Sequence, residues 1–87
     1  MTHSVSVQVR YFASLRELLG AGEVLTLDGA PNVGAVRDAL IARSPAHAQA
    51  LARGRAVRTA LDQTLCDEAA QVGDGAELAF FPPVTGG

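Results

Sequence analysis

Apolar and polar residues alternate at the start of the chain: Val5, Val7, Val9 and Tyr11 are separated by Ser6, Gln8 and Arg10. A repeat of two puts one set on each face, which predicts a half-buried strand. The period then changes. Leu15, Leu18 and Leu19 follow helical spacing and Gly20 comes next, so a short helix is expected over Ala13–Leu19, closed by a glycine. Alternation resumes from Glu23 to Asp28 and predicts a second strand. Asn32 is placed to cap a longer helix from Val33 to about Arg43, with Val33, Val36, Ala39 and Leu40 as its apolar stripe. Ala35 stands where a capping box needs Glu or Gln. Ser44-Pro45 ends this helix and suits the start of another, Ala46 to about Ala52.

Arg55 to Leu61 alternates again and is read as a strand with Val57, Thr59 and Leu61 on one face. A short edge segment is expected at Gln63–Cys66. Gly73-Asp74-Gly75 reads as a turn into a final strand, Glu77–Phe81. Apolar strands at both ends and one helix long enough to cover a sheet imply an α+β domain, a mixed sheet packed on a helix.

The chain of 87 residues is one domain in length, and its 48% hydrophobic share supports a single core. Seven basic and nine acidic residues give a net charge of −2, without the concentrated positive field that nucleic acid or an anionic membrane requires. Every basic residue is arginine, so the chain offers no lysine for a Schiff base or an isopeptide bond. Cys66 is the single cysteine and fits a reducing compartment as a small hydrophobe. The opening Met-Thr-His-Ser lacks a basic segment followed by an apolar one, so a cytoplasmic protein without a secretory signal is expected. His3 and His47 lack metal-ligand spacing, and no nucleophile–base pair stands out.

After Phe81 the sequence runs Pro82-Pro83-Val84-Thr85-Gly86-Gly87. Two prolines cannot extend a sheet and favour an extended chain, so residues 1–81 are expected to form the domain and residues 82–87 a protruding tail. Six residues at about 3.3 Å each reach on the order of 20 Å, enough to enter another protein's cleft. The two terminal glycines make a thin tip, and the Gly87 carboxyl is ionised at neutral pH. A carboxylate is a poor electrophile, so acyl or sulfur chemistry there requires prior activation. An inert, frayed end is the alternative that these residues alone leave open.

Phe80-Phe81-Pro82-Pro83-Val84-Thr85-Gly86-Gly87 closely resembles the end of the molybdopterin synthase small subunit family. Tyr11-Phe12-Ala13-Ser14-Leu15-Arg16-Glu17-Leu18-Leu19-Gly20 is similar to that family's first strand and helix, and Gly73-Asp74-Gly75-Ala76-Glu77 to its last turn. The resemblance implies a ubiquitin-like β-grasp fold that carries sulfur and is not an enzyme on its own. By that likeness an activating enzyme uses ATP to adenylate Gly87, a sulfur-donating enzyme makes the thiocarboxylate, and no cofactor is permanently bound. The large synthase subunit, partner in a heterotetramer, then holds the active site where sulfur passes to a cyclic pyranopterin. Partner contacts are implied at Phe12, Leu65 and Phe81. Strand parity agrees for the two aromatics, which fall opposite the core-facing sets. The family commonly has Asn-Gln where this chain has Asp62-Gln63, and neither Asp62 nor Cys66 is given a role. One rival within the carrier class, the sulfur carrier of thiazole synthesis, shares the fold and a terminal Gly-Gly but usually lacks the Phe-Phe-Pro-Pro-Val-Thr run. A different class is a ubiquitin-like modifier that forms isopeptide bonds with target lysines.

Overall fold

A computed structural model describes residues 3–83. Strand β1 (Ser4–Tyr11) leads through helix α1 (Ser14–Leu19) to β2 (Gly22–Asp28). Helices α2 (Val33–Ile41) and α3 (Pro45–Leu51) follow, then β3 (Arg58–Leu61), β4 (Thr64–Cys66) and β5 (Glu77–Phe81). The five strands form one sheet in the order β2-β1-β5-β3-β4. β1 and β5 are parallel, and the other neighbours are antiparallel. The sheet is therefore mixed, and the last strand lies at its centre.

The core sits between one face of the sheet and the helices. Val7, Val9 and Tyr11 of β1 and Leu78 and Phe80 of β5 meet Val33, Val36 and Leu40 of α2 and Leu51 of α3. In β2 the core-facing parity is Leu25 and Leu27, while Val24 is 57% exposed. Burial of a Val, Leu or Phe side chain contributes about 1.5–3 kcal/mol, and this apolar face is the principal source of stability.

The caps explain where the helices begin. Asn32 accepts the Ala35 N–H at 2.8 Å, and Ser44 accepts the His47 N–H at 3.1 Å with Pro45 in the first turn. Gly20, at φ +91°, closes α1 by donating its N–H to the Arg16 carbonyl. Two boundaries differ from the sequence expectation by two residues or more. Helix α2 stops at Ile41 and not near Arg43, because Arg43 N–H turns to the Leu40 carbonyl in a tighter, i to i+3 bond. The strand expected from Arg55 begins only at Arg58, since the Arg55 carbonyl is taken by the Arg37 guanidinium and its N–H by Ala52. Val57 still packs against the core, as the alternation implied.

The β3–β4 hairpin has a two-residue loop, Asp62-Gln63, between the paired Leu61 and Thr64. Both loop residues have positive φ, +49° and +70°, which defines a type I′ turn and matches the twist of the strands. Asp62 also accepts the Glu77 N–H on its side chain at 3.0 Å and donates its own N–H to the Glu77 carbonyl. The residue thus ties the hairpin to the start of β5. The Gly73–Gly75 turn is fastened from the other side, with Asp74 accepting the Ser6 N–H and Gly75, at φ +82°, donating to the Ser6 carbonyl.

Candidate functional site

β5 is clamped along its length by β1 and β3 and ends at Phe81. Pro82 and Pro83, half-buried and without regular structure, follow directly. Neither has an N–H to offer a ladder, which accounts for the strand's end. The remaining tail positions named from the sequence, Val84, Thr85, Gly86 and Gly87, lie outside the described residues.

The sheet face opposite the helices carries the other candidate residues. Tyr11 pairs with Phe80, so Phe12 falls beside Phe81 on that face, and Arg58 flanks Phe81 on the far side. One step back along the sheet, Arg10, Ala79, Ala60 and Leu65 line up across four strands. Phe12 is 45% exposed and Leu65 is 65% exposed, while Phe81 is half-buried. Small alanines between Arg10 and Leu65 make a shallow floor, with the two phenylalanines at its rim. Exposed aromatic and apolar side chains around a flat centre are the usual makings of a protein interface. At the β3–β4 edge a groove of about 260 Å³ is lined by Arg58, Thr59, Leu65 and Cys66 among others. Cys66 itself is half-buried, with its Sγ 3.5 Å from Thr59 Oγ1.

Two polar networks brace this body, and neither was visible in the sequence. In the first, Glu23 Oε2 accepts the Tyr11 hydroxyl at 2.6 Å and His47 Nε2 at 2.7 Å, and Arg43 lies 3.2 Å from Oε1. His47 Nδ1 faces the Ser44 hydroxyl at 2.6 Å. Burial alone raises the Glu23 carboxyl, but the bonds from Tyr11 and His47 and the charges of His47 and Arg43 outweigh it, and the net shift is downward. Burial, and then the adjoining carboxylate, push the Tyr11 phenol well above its ordinary range. This network pins the end of β1, one residue before Phe12, to β2 and α3.

In the second network Arg37, only 4% exposed, donates to the carbonyls of Leu51, Ala52 and Arg55 and to Glu68 Oε2 at 2.7 Å. Arg53 joins it, pairing with Asp38 and Glu68. Burial and the neighbouring Arg53 charge draw the Arg37 pKa down. Its fork geometry closes the carbonyl end of α3, a task that lysine cannot perform in the same way. The sequence signal that would have suggested it is modest: an arginine on the apolar side of a capped helix.

A mixed five-stranded sheet with helices on one face and its central strand leading to the tail is the ubiquitin-like β-grasp architecture. The model of the ThiS family matches residues 9–87, and the chain belongs to that family. It is 41% identical over 81 residues to the molybdopterin synthase sulfur carrier subunit of Escherichia coli (strain K12), covering 93% of this chain and 99% of that protein. Among solved structures, small archaeal modifier protein 1 of H. volcanii matches with a TM-score of 0.74 at 27% identity, covering 92% of this chain and 99% of that one. A chain in the complex of subunits 1 and 2 of molybdopterin-converting factor from Helicobacter pylori 26695 matches with a TM-score of 0.63 at 25% identity. That match covers 95% of this chain and 100% of the other.

Proposed function

We propose that this chain is the sulfur carrier subunit of a molybdopterin synthase, with the Gly87 carboxylate as its working group. The observation that carries the reading is the 41% identity, over 81 residues, to a protein of that name. In this reading an activating enzyme joins the carboxylate to AMP, with loss of pyrophosphate from ATP. Sulfide-level sulfur delivered by a donor enzyme then attacks the acyl carbon, expels AMP and leaves a thiocarboxylate. The carbon becomes electrophilic only while AMP is attached, and the product presents a nucleophilic sulfur at the end of a thin stem. The large subunit receives the tail in its cleft, in a heterotetramer, and supplies the catalytic groups. Two sulfur deliveries to a cyclic pyranopterin make the dithiolene that binds molybdenum.

The outer sheet face fits the docking role in this scheme. Phe12, Phe81 and Leu65 present apolar surface beside the exit of Pro82 and Pro83, so a partner seated there lies within reach of the tail. Cys66, packed against Thr59, is not needed as the sulfur carrier in this reading, and Cys66→Ser is expected to retain function. The reaction belongs in the reducing cytoplasm, and no described helix is long and apolar enough to cross a membrane.

Intact-mass measurement after incubation with the activating enzyme, ATP and a sulfur source tests the reading. A mass gain equal to replacing one oxygen by sulfur, lost when Gly86 and Gly87 are removed, is the expected result. An unchanged mass under conditions that load a known carrier overturns it. The likeness to an archaeal modifier protein gives a second reading, attachment to lysines of other proteins. Covalent conjugates in extracts that disappear on deleting Gly87 identify that activity.

A further inference from the structure

Ala13 has φ +54° and ψ −130°, outside the right-handed and extended regions and outside the small left-handed basin open to L-residues. The Phe12 carbonyl accepts the Leu15 N–H at 3.2 Å, so Phe12–Leu15 is a turn with Ala13 at its second position. Positive φ at that position alone is the type II′ corner, which glycine dominates because a Cβ crowds the backbone there. Asp62 and Gln63 differ: they form a type I′ loop, where Asp is well tolerated. Ala13 is exposed, so its methyl fills no core space that a glycine would leave empty.

We propose that Ala13 is a positioning residue for the docking surface. The hydrogen bonds on either side hold the strained corner in place, and the Ala13 Cβ narrows the backbone angles open to it, which limits the placements of the Phe12 ring that the partner meets. The inference rests on the docking role given to Phe12 above. Phe12 lies one residue beyond β1, and its backbone meets the sheet through one N–H bond, 3.1 Å to the Phe80 carbonyl. With Phe12 45% exposed, burial leaves its ring much of its freedom, and the limit on that freedom is the role assigned to Ala13. Strained residues of this kind persist where the surroundings hold them, and they concentrate at functional surfaces.

Three variants of the full chain test it against the large synthase subunit of the same organism. Ala13→Gly relieves the strain and loosens the corner: the melting temperature rises by about 4–8 °C, while affinity falls roughly two- to tenfold. Phe12 ring order, followed by NMR relaxation, falls with it. Ala13→D-Ala, made by chemical synthesis, separates stiffness from strain. The mirror image of these angles is the polyproline region, so a D residue sits there without strain and remains stiff. It raises the melting temperature and keeps wild-type affinity. Phe12→Ala is the control and weakens binding. If Ala13→Gly binds as tightly as wild type while Phe12→Ala is weakened, the inference falls and the docking reading stands. The inference also falls if glycine gives no stability gain, or if the D-alanine variant loses affinity. Unchanged binding by Phe12→Ala removes the docking role itself, and the inference with it.

Discussion

The two faces of the sheet use alternate residues of the same strands for opposite ends. On the helix side, Val7, Val9, Leu78 and Phe80 are wholly or almost wholly buried. On the other side, neighbours one position away present Arg10, Phe12 and Phe81, with Leu65 largely exposed. The first face is closed by hydrophobic packing and by bracing networks at its margins. The second retains apolar surface that the described residues do not cover. Parity in a strand therefore separates what keeps the domain folded from what it offers to others, and substitutions should sort along the same line.

The sharpest separation is at the tail. If the proposed function holds, deleting Gly86 and Gly87 abolishes sulfur transfer and leaves the melting temperature within about 1 °C of the parent, since removing the last residues of a chain commonly costs little. A large fall in melting temperature would show that the two ends of the molecule are not independent. Arg37→Ala attacks the opposite side. It strands the carbonyls of Leu51, Ala52 and Arg55, leaves Glu68 paired with Arg53 alone, and costs about 3 kcal/mol in urea unfolding. Below its midpoint the folded fraction still binds the large subunit.

Phe81→Ala sharpens the contrast from the docking side. A loss of about 2 kcal/mol in binding, roughly thirtyfold, with a smaller change in stability is expected by calorimetry. Equal losses in both would place Phe81 with the core. The smallest effect is on pH. Glu23 is held below its ordinary value of 4.5, so its contribution to stability is whole above that value. It is lost as the pH falls below it, through the lowered folded value. Urea titrations from neutral pH to below 4.5 should show a shallower fall for Glu23→Gln than for the parent.

Much of the helix-side face was legible in the sequence because period and caps are local signals. Strand β5 was read to the residue, and the Asn32 and Ser44-Pro45 helix starts appear as expected. The late start of β3 was not legible, because the backbone before it is claimed by Arg37, eighteen residues away from Arg55. The Tyr11–Glu23–His47 network is likewise long-range, joining residues 12 and 24 positions apart. Alternation carries no information about such partners. On the outer face, parity placed Phe12 and Phe81 together, but only the parallel β1–β5 pairing makes them neighbours. The backbone of Ala13 was invisible, since nothing in Phe-Ala-Ser announces a corner suited to glycine. Asp62 was left without a role, and the structure gives it one at the hairpin turn.

The central place of β5 bears on mechanical strength. A terminal strand at a sheet's margin peels under traction, its bonds failing singly from the pulled end. Here a tug on the segment after Phe81 is resisted by ladders on both flanks, to β1 and to β3. Those bonds must yield together in shear, so the load spreads across the domain before any strand is drawn out. Under the proposed function, a stem that successive enzymes grip and release is thus rooted where the body is hardest to unravel.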